Sequence, residues 1–146
     1  MSNYLHPCPK PERSASQREY REKAREVCGK IAKLGGICER CGRTSQRGFV
    51  MHAAHVIPSR FGSTDCDPDN RVCLCGFCHV ADNDSAHLNE RDFHAWYDAK
   101  YPGRREVLQQ RARQIFKGDW ADIYETLLIT YKCLLEEKAY REARKD

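Results

Sequence analysis

Apolar residues recur at spacings of three and four from Tyr20 through Ala24, Val27 and Ile31 to Leu34, which marks one face of a helix. Ser16 and Glu19 have the spacing of a capping box that opens such a helix, and Gly35-Gly36 closes it. The opposite face carries Arg18, Arg21, Arg25, Lys30 and Lys33. Before it, residues 1–13 hold three prolines and no periodicity, and read as an irregular tail. "FVMHAAHVIP" (49–58) has β-favouring ends around small residues and predicts a hairpin. Residues 59–70 read as a loop, and "RVCLCGFCH" (71–79) begins as a short strand that turns at Gly76. Beyond Asn89 the helical period returns. Phe93, Trp96 and Tyr97 mark a short helix ended by Pro102-Gly103; Val107, Leu108, Ala112, Ile115 and Phe116 mark a second, ended by Gly118. A third, longer stripe runs from Trp120 through Ile123, Tyr124, Leu127, Leu128 and Tyr131 to Leu135. Such a stripe is most simply core; a homodimer seam is the alternative.

The pattern is that of an α+β chain. It divides into a tail (1–15), a basic helix (16–36), a cysteine-rich core (37–84) and a helical extension (85–146). A chain of 146 residues builds a modest core, for which a structural metal is useful. Nine cysteines cannot all pair internally, and the first twenty residues have no apolar signal segment. A reducing cytoplasm is therefore expected, where clustered cysteines serve as metal ligands and not as disulfides. No apolar run reaches membrane-spanning length, so no membrane partner is expected. Charge is uneven: residues 1–48 carry 11 Lys and Arg against 5 acidic residues, and the remainder 14 against 16. A basic first third suits a phosphate backbone, or is an ordinary solvated helix face.

Cys38-x2-Cys41 and Cys75-x2-Cys78 form two ligand pairs with 33 residues between them. Four thiolates suit tetrahedral zinc and leave no open position, so this zinc is structural. Cys75 has the ligand spacing to Cys78, whereas Cys73 is expected to be a small buried residue beneath the site. Cys8, Cys28, Cys66 and Cys133 have no partner at ligand spacing.

Interleaved with these pairs are His55, Asn70 after 14 intervening residues, and His79 after 8 more. "CERCG", "AAHVIPSR", "DPDNRVCLC" and "CH" together resemble the HNH nuclease motif in its zinc-stapled form. "FHAWYDAKYPGRREVLQQRARQ" resembles the helical tail of phage-encoded HNH endonucleases, and "HAAH" is similar to the acidic-x-x-His version in NinG-type phage recombination nucleases. The resemblance spans residues 36–118. It implies a ββα-metal fold that hydrolyses DNA phosphodiester bonds, encoded by a phage or prophage. His55 matches the general base, Asn70 the middle residue and His79 a ligand of a catalytic divalent cation, Mg²⁺ or Mn²⁺, with Zn²⁺ or Ni²⁺ as alternatives. A neutral imidazole near pH 7 accepts a proton, and a hard cation stabilises charge developing on phosphate oxygens. DNA is the implied partner, with other phage proteins as further candidates.

One position departs from the family pattern. Ala54, immediately before His55, stands where many members have a ligand and cannot coordinate. His52 is the substitute candidate, although strand positions three apart face opposite ways unless the strand bends. Asn83, one helical turn beyond His79, is a second candidate. Arg60 is close enough to the base to reach a phosphate, and Arg18, Arg21 and Arg25 are candidates for holding flanking DNA. His87 and His94 lie outside the motif. Two further readings stay open: a zinc-stapled DNA-binding module without catalysis, and a protein-interaction adaptor.

Overall fold

The computed structural model describes residues 13–83 and 85–145. Residues 1–12, with Cys8, lie outside the described residues, and the expected irregular tail is helical over its last three positions, 13–15. Helix α1 (Arg13–Ala32) precedes strand β1 (Met51–His55), a one-turn helix α2 (Gly62–Asp65) and strand β2 (Arg71–Cys75). Helices α3 (Glu90–Lys100), α4 (Arg104–Ala112) and α5 (Trp120–Ala143) follow. The chain is an α+β domain: an N-terminal helix, a central hairpin and C-terminal helices.

Helix α1 begins before Ser16, so the Ser16–Glu19 pair lies inside the helix and does not open it. A tertiary contact accounts for the extra turn. The Gln17 side-chain oxygen accepts the backbone N–H of Trp120 at 2.9 Å, so this end of α1 is docked on the first turn of α5. At the other end Gly36 takes φ +63, the left-handed turn a glycine adopts without strain. The hairpin also differs from the sequence reading. Residues 49–58 do not fold on themselves. Instead β1 pairs antiparallel with β2, in register from Met51–Cys75 to His55–Arg71. The 59–70 segment between them is wound into α2 and a 3-10 turn at Pro68–Asn70, with Asp67 capping the latter through Asp69 N. The second of the C-terminal helices stops at Ala112, and Ile115 beyond it is exposed.

Two apolar cores result. The first joins the hairpin to α3 and α4 through Val56, Val72, Leu74, Phe93, Tyr97 and Leu108. The second lies between α1 and α5, where Ala24, Val27 and Cys28 meet Trp120 and Leu127. The stripe of α5 packs against α1 from Trp120 to Tyr131, while Leu135 is exposed. Asn89 and Asp119 cap α3 and α5, each accepting backbone N–H groups of the following turn, as expected for an N-cap Asn or Asp. Among the described residues, no helix is long and apolar enough to cross a membrane.

Candidate functional site

The four cysteines Cys38, Cys41, Cys75 and Cys78 converge, with all sulfur atoms within 4.8 Å of one another. Sulfurs bound to one tetrahedral zinc at about 2.3 Å stand about 3.8 Å apart, and Cys41 Sγ lies 3.6 Å from Cys75 Sγ. The cluster therefore fits zinc. Two tight turns build it. In the first, Gly42 adopts φ +77 and donates its N–H to Cys38 O at 2.9 Å. In the second, the chain leaves β2 through Gly76 into a short π-helical turn, Phe77–Ala81. Burial pushes the Cys75 thiol up, but the donated amide of Cys78 and the Arg43 guanidinium outweigh it and bring it down to about 6. Arg43 sits 3.8 Å from both Cys41 Sγ and Cys75 Sγ, over the rings of Phe49 and Phe77. A cation there offsets the negative charge of a tetrathiolate site. Cys73 is buried beneath the cluster, with its thiol pushed up to about 11 by burial. Its N–H donates to the Glu39 carboxylate at 3.0 Å, and its carbonyl accepts Glu39 N–H at 2.8 Å. Tyr101, the residue just past α3, donates to the same carboxylate, and Lys100 to the Glu39 carbonyl, so the end of α3 braces the first knuckle from outside.

The π-helical turn that follows Cys78 carries His79 away from the cysteines. His79 Nδ1 lies 2.8 Å from His52 Nδ1, and His79 Nε2 lies 3.1 Å from His87 Nε2. His79 is thus the middle of a three-histidine chain. Burial first, then His87, His52 and His55, lower its pKa to about 4, so it is neutral at pH 7 and free to accept or ligate. His52 reaches it from a regular β1, without a bulge. His55, three positions on, belongs to the other side of the strand. His55, His79, His87 and His94, with Glu90 and Ser59, line one cleft of about 370 Å³. His52 is not among its lining residues.

Among the described residues, the four cysteines are the one group of three or more metal-ligating side chains that converge. A second ion would meet a pair. Two nitrogens on one tetrahedral ion at about 2.0 Å stand about 3.3 Å apart, which the 3.1 Å between His79 Nε2 and His87 Nε2 approaches. The same distance is that of a hydrogen bond between the two rings. Asn83 is exposed on the turn before α3 and touches neither histidine.

Asn70 is fully buried and lies away from the cleft lining. Its Oδ1 accepts Ile57 N–H at 2.6 Å, and its Nδ2 donates to Ile57 O at 3.0 Å and Thr64 O at 2.9 Å. It clips the strand exit just after His55 to α2. The basic side chains divide. Arg18 is exposed, paired only with Glu22 at 3.6 Å, and Arg60 is exposed over the Phe61 ring. Arg21 and Arg25 turn inward. Their Nε atoms meet Asp65 Oδ2 at 2.9 and 2.7 Å, and Arg21 also donates to Ser59 O at 3.0 Å.

Two residues of this site escape sequence reasoning. His87 has its partner eight positions back across a turn, a spacing that no regular element announces. Asp65 gathers partners from 40 and 44 residues away. The one available signal for Asp65 was a carboxylate in a loop otherwise rich in small residues, and that is weak.

Comparison of the chain with family models, with curated proteins and with solved structures found no match in any of the three.

Proposed function

We propose that the chain is a zinc-stapled nucleic-acid-binding domain. One observation carries this: four histidines line a single cleft next to the cysteine-stapled hairpin, His55 from β1, His79 from the π-helical turn, His87 from the loop after it and His94 from α3, and exposed Arg60 follows the lining residue Ser59. Imidazoles with one carboxylate among them suit a phosphate anion better than an apolar ligand. The basic first third of the sequence adds long-range attraction to a polyanion, with affinity that falls steeply as salt rises.

A sharper reading, hydrolysis of DNA phosphodiesters in the manner of HNH endonucleases, is favoured by a specific arrangement. His55, a candidate base, opens on the same cleft as His79 and His87. A divalent ion held by His79 and His87 would supply charge stabilisation at the phosphate. The chain's own part is proton transfer: His55 takes a proton from water, whose oxygen bonds to phosphorus as the bond to the leaving sugar oxygen breaks. That oxygen takes its proton from solvent. In this reading His87 takes the ligand place that Ala54 cannot fill, and His52 orients His79 through Nδ1.

Supercoiled-plasmid nicking by zinc-loaded protein, with Mg²⁺, Mn²⁺ or EDTA, separates the two readings. Hydrolysis predicts ion-dependent nicking that His55→Ala lowers by on the order of 10²-fold or more, with DNA binding retained in a gel shift. Binding alone predicts a salt-sensitive shift, no nicking on plasmid or branched DNA, and no effect of His55→Ala. Absence of a shift even at low salt would remove both. His87→Ala should weaken nicking and raise the Mn²⁺ concentration needed, while zinc content stays at wild type; unchanged ion dependence would remove His87 from the ion site.

A further inference from the structure

Asp65 is fully buried, and among the described residues the groups that pair with it are Arg21, Arg25, Arg71 and His55. Its two oxygens are used differently. Oδ2 takes both α1 arginines, at 2.9 and 2.7 Å. Oδ1 faces His55 Nε2 at 3.4 Å, with Arg71 farther off at 4.0 Å. Both His55 Nε2 and Asp65 Oδ1 are buried, and neither makes a hydrogen bond with any group, so each is the nearest polar atom left to satisfy the other. A carboxylate that accepts two guanidinium bonds stays ionised despite burial. Burial would raise its pKa, but His55, Arg25 and Arg21 together hold it down to about 2. An ionised oxygen facing a ring nitrogen favours a proton on that nitrogen over a bare lone pair. The remaining nitrogen of His55, Nδ1, is then unprotonated on a ring that lines the cleft.

We propose that Asp65 is a positioning residue for His55: it fixes the Nε2–H tautomer, so that Nδ1 is the basic atom presented to the cleft. This deepens the hydrolytic reading above and rests on it for its consequence, though not for its geometry. The arginines add a second feature. Because both bind Oδ2, they also dictate which way an amide would sit at position 65. In Asp65→Asn the amide oxygen must stay on the arginines, which only donate, and the NH₂ must face His55. Nε2 then has to accept, and the proton moves to Nδ1, so the basic atom is buried and the cleft receives an N–H. The change removes one negative charge and little volume, yet inverts the imidazole.

Nitrogen-15 NMR of the histidine rings, on zinc-loaded protein near pH 8, reads the tautomer with no substrate present. The wild type should show His55 protonated at Nε2 and bare at Nδ1. Asp65→Asn should show the reverse, with cleavage reduced by on the order of 10²-fold or more and DNA binding within twofold of wild type. Asp65→Glu, which keeps the carboxylate, should keep the wild-type tautomer. Wild-type His55 protonated at Nδ1, or an Asp65→Asn ring still protonated at Nε2, would overturn the proposal. If Asp65→Asn does not fold, the wild-type spectrum and Asp65→Glu decide the matter. A tautomer that flips as stated in a protein that never cleaves DNA would leave the positioning role standing and remove the hydrolytic reading instead.

Discussion

Cys75→Ser is expected to unfold the hairpin core and release the zinc. The structure makes the size of this effect unusual for a single sulfur. Cys75 is the last residue of β2, is fully buried, and is the thiol most ready to ionise. Binding of a structural zinc contributes on the order of 10–16 kcal/mol near neutral pH, whereas a whole domain is stable by about 5–15 kcal/mol. The metal term is as large as the whole net stability of a typical domain, so losing much of it leaves no margin. Circular dichroism melting with a zinc-release dye should show loss of the cooperative transition together with zinc in Cys75→Ser, and in wild type treated with a strong chelator. Cys73→Ala, two residues away and equally buried, is the control. It removes a sulfur that binds no metal, should cost about 1 kcal/mol, and should retain zinc. A chelated wild type that still melts cooperatively at the same temperature would show that the cysteines do not hold the core together.

Asn70→Ala is expected to destabilise the domain by about 3–5 kcal/mol, the second largest effect of one substitution. The side chain satisfies three buried backbone groups, Ile57 N–H, Ile57 C=O and Thr64 C=O. Each buried polar group stranded without a partner costs about 1–3 kcal/mol, and alanine leaves no room for enough water to replace them all. Asn70→Asp should be about as damaging, because it sets a carboxylate against two carbonyl oxygens where an NH₂ had donated. Urea denaturation of the zinc-loaded proteins measures both. A loss under 1 kcal/mol in Asn70→Ala would mean that the loop relaxes to satisfy itself. Since Ile57 follows His55 by two residues, a residual fall in nicking from folded Asn70→Ala would report on placement of His55, not on Asn70 chemistry.

What could be read in the sequence follows from how far apart the partners lie. The ligand pairs Cys38-Cys41 and Cys75-Cys78 are local, and their chemistry restricts them to few uses, so spacing alone identified a site that the fold assembles. The amphipathic face from Tyr20 to Ile31 is local too, and α1 appears over it, packed on α5. The hairpin could not be located from residues 49–58, because the partner of β1 lies across a 15-residue connection whose course depends on Asn70. His52 meets His79 for a similar reason: the meeting is set by the register of two strands and a π-helical turn, none of which is written in the spacing of "HAAH". The inward course of Arg21 and Arg25 was hidden because a basic helix face has the same pattern whether its partner is a phosphate or a buried carboxylate.

Helices α1 and α5 run side by side in the same direction, Gln17 against Trp120 at one end and Leu34 against Lys138 at the other. Their first contact spans 103 residues of chain. On a ribosome adding about 5–20 residues per second, α1 emerges several seconds before α5 exists, while a helix itself forms in microseconds. Through that interval Tyr20, Val27 and Ile31 have no covering surface. The nascent chain therefore carries an uncovered apolar helix face until α5 has been made, and through that interval α1 is open to contact with any other apolar surface.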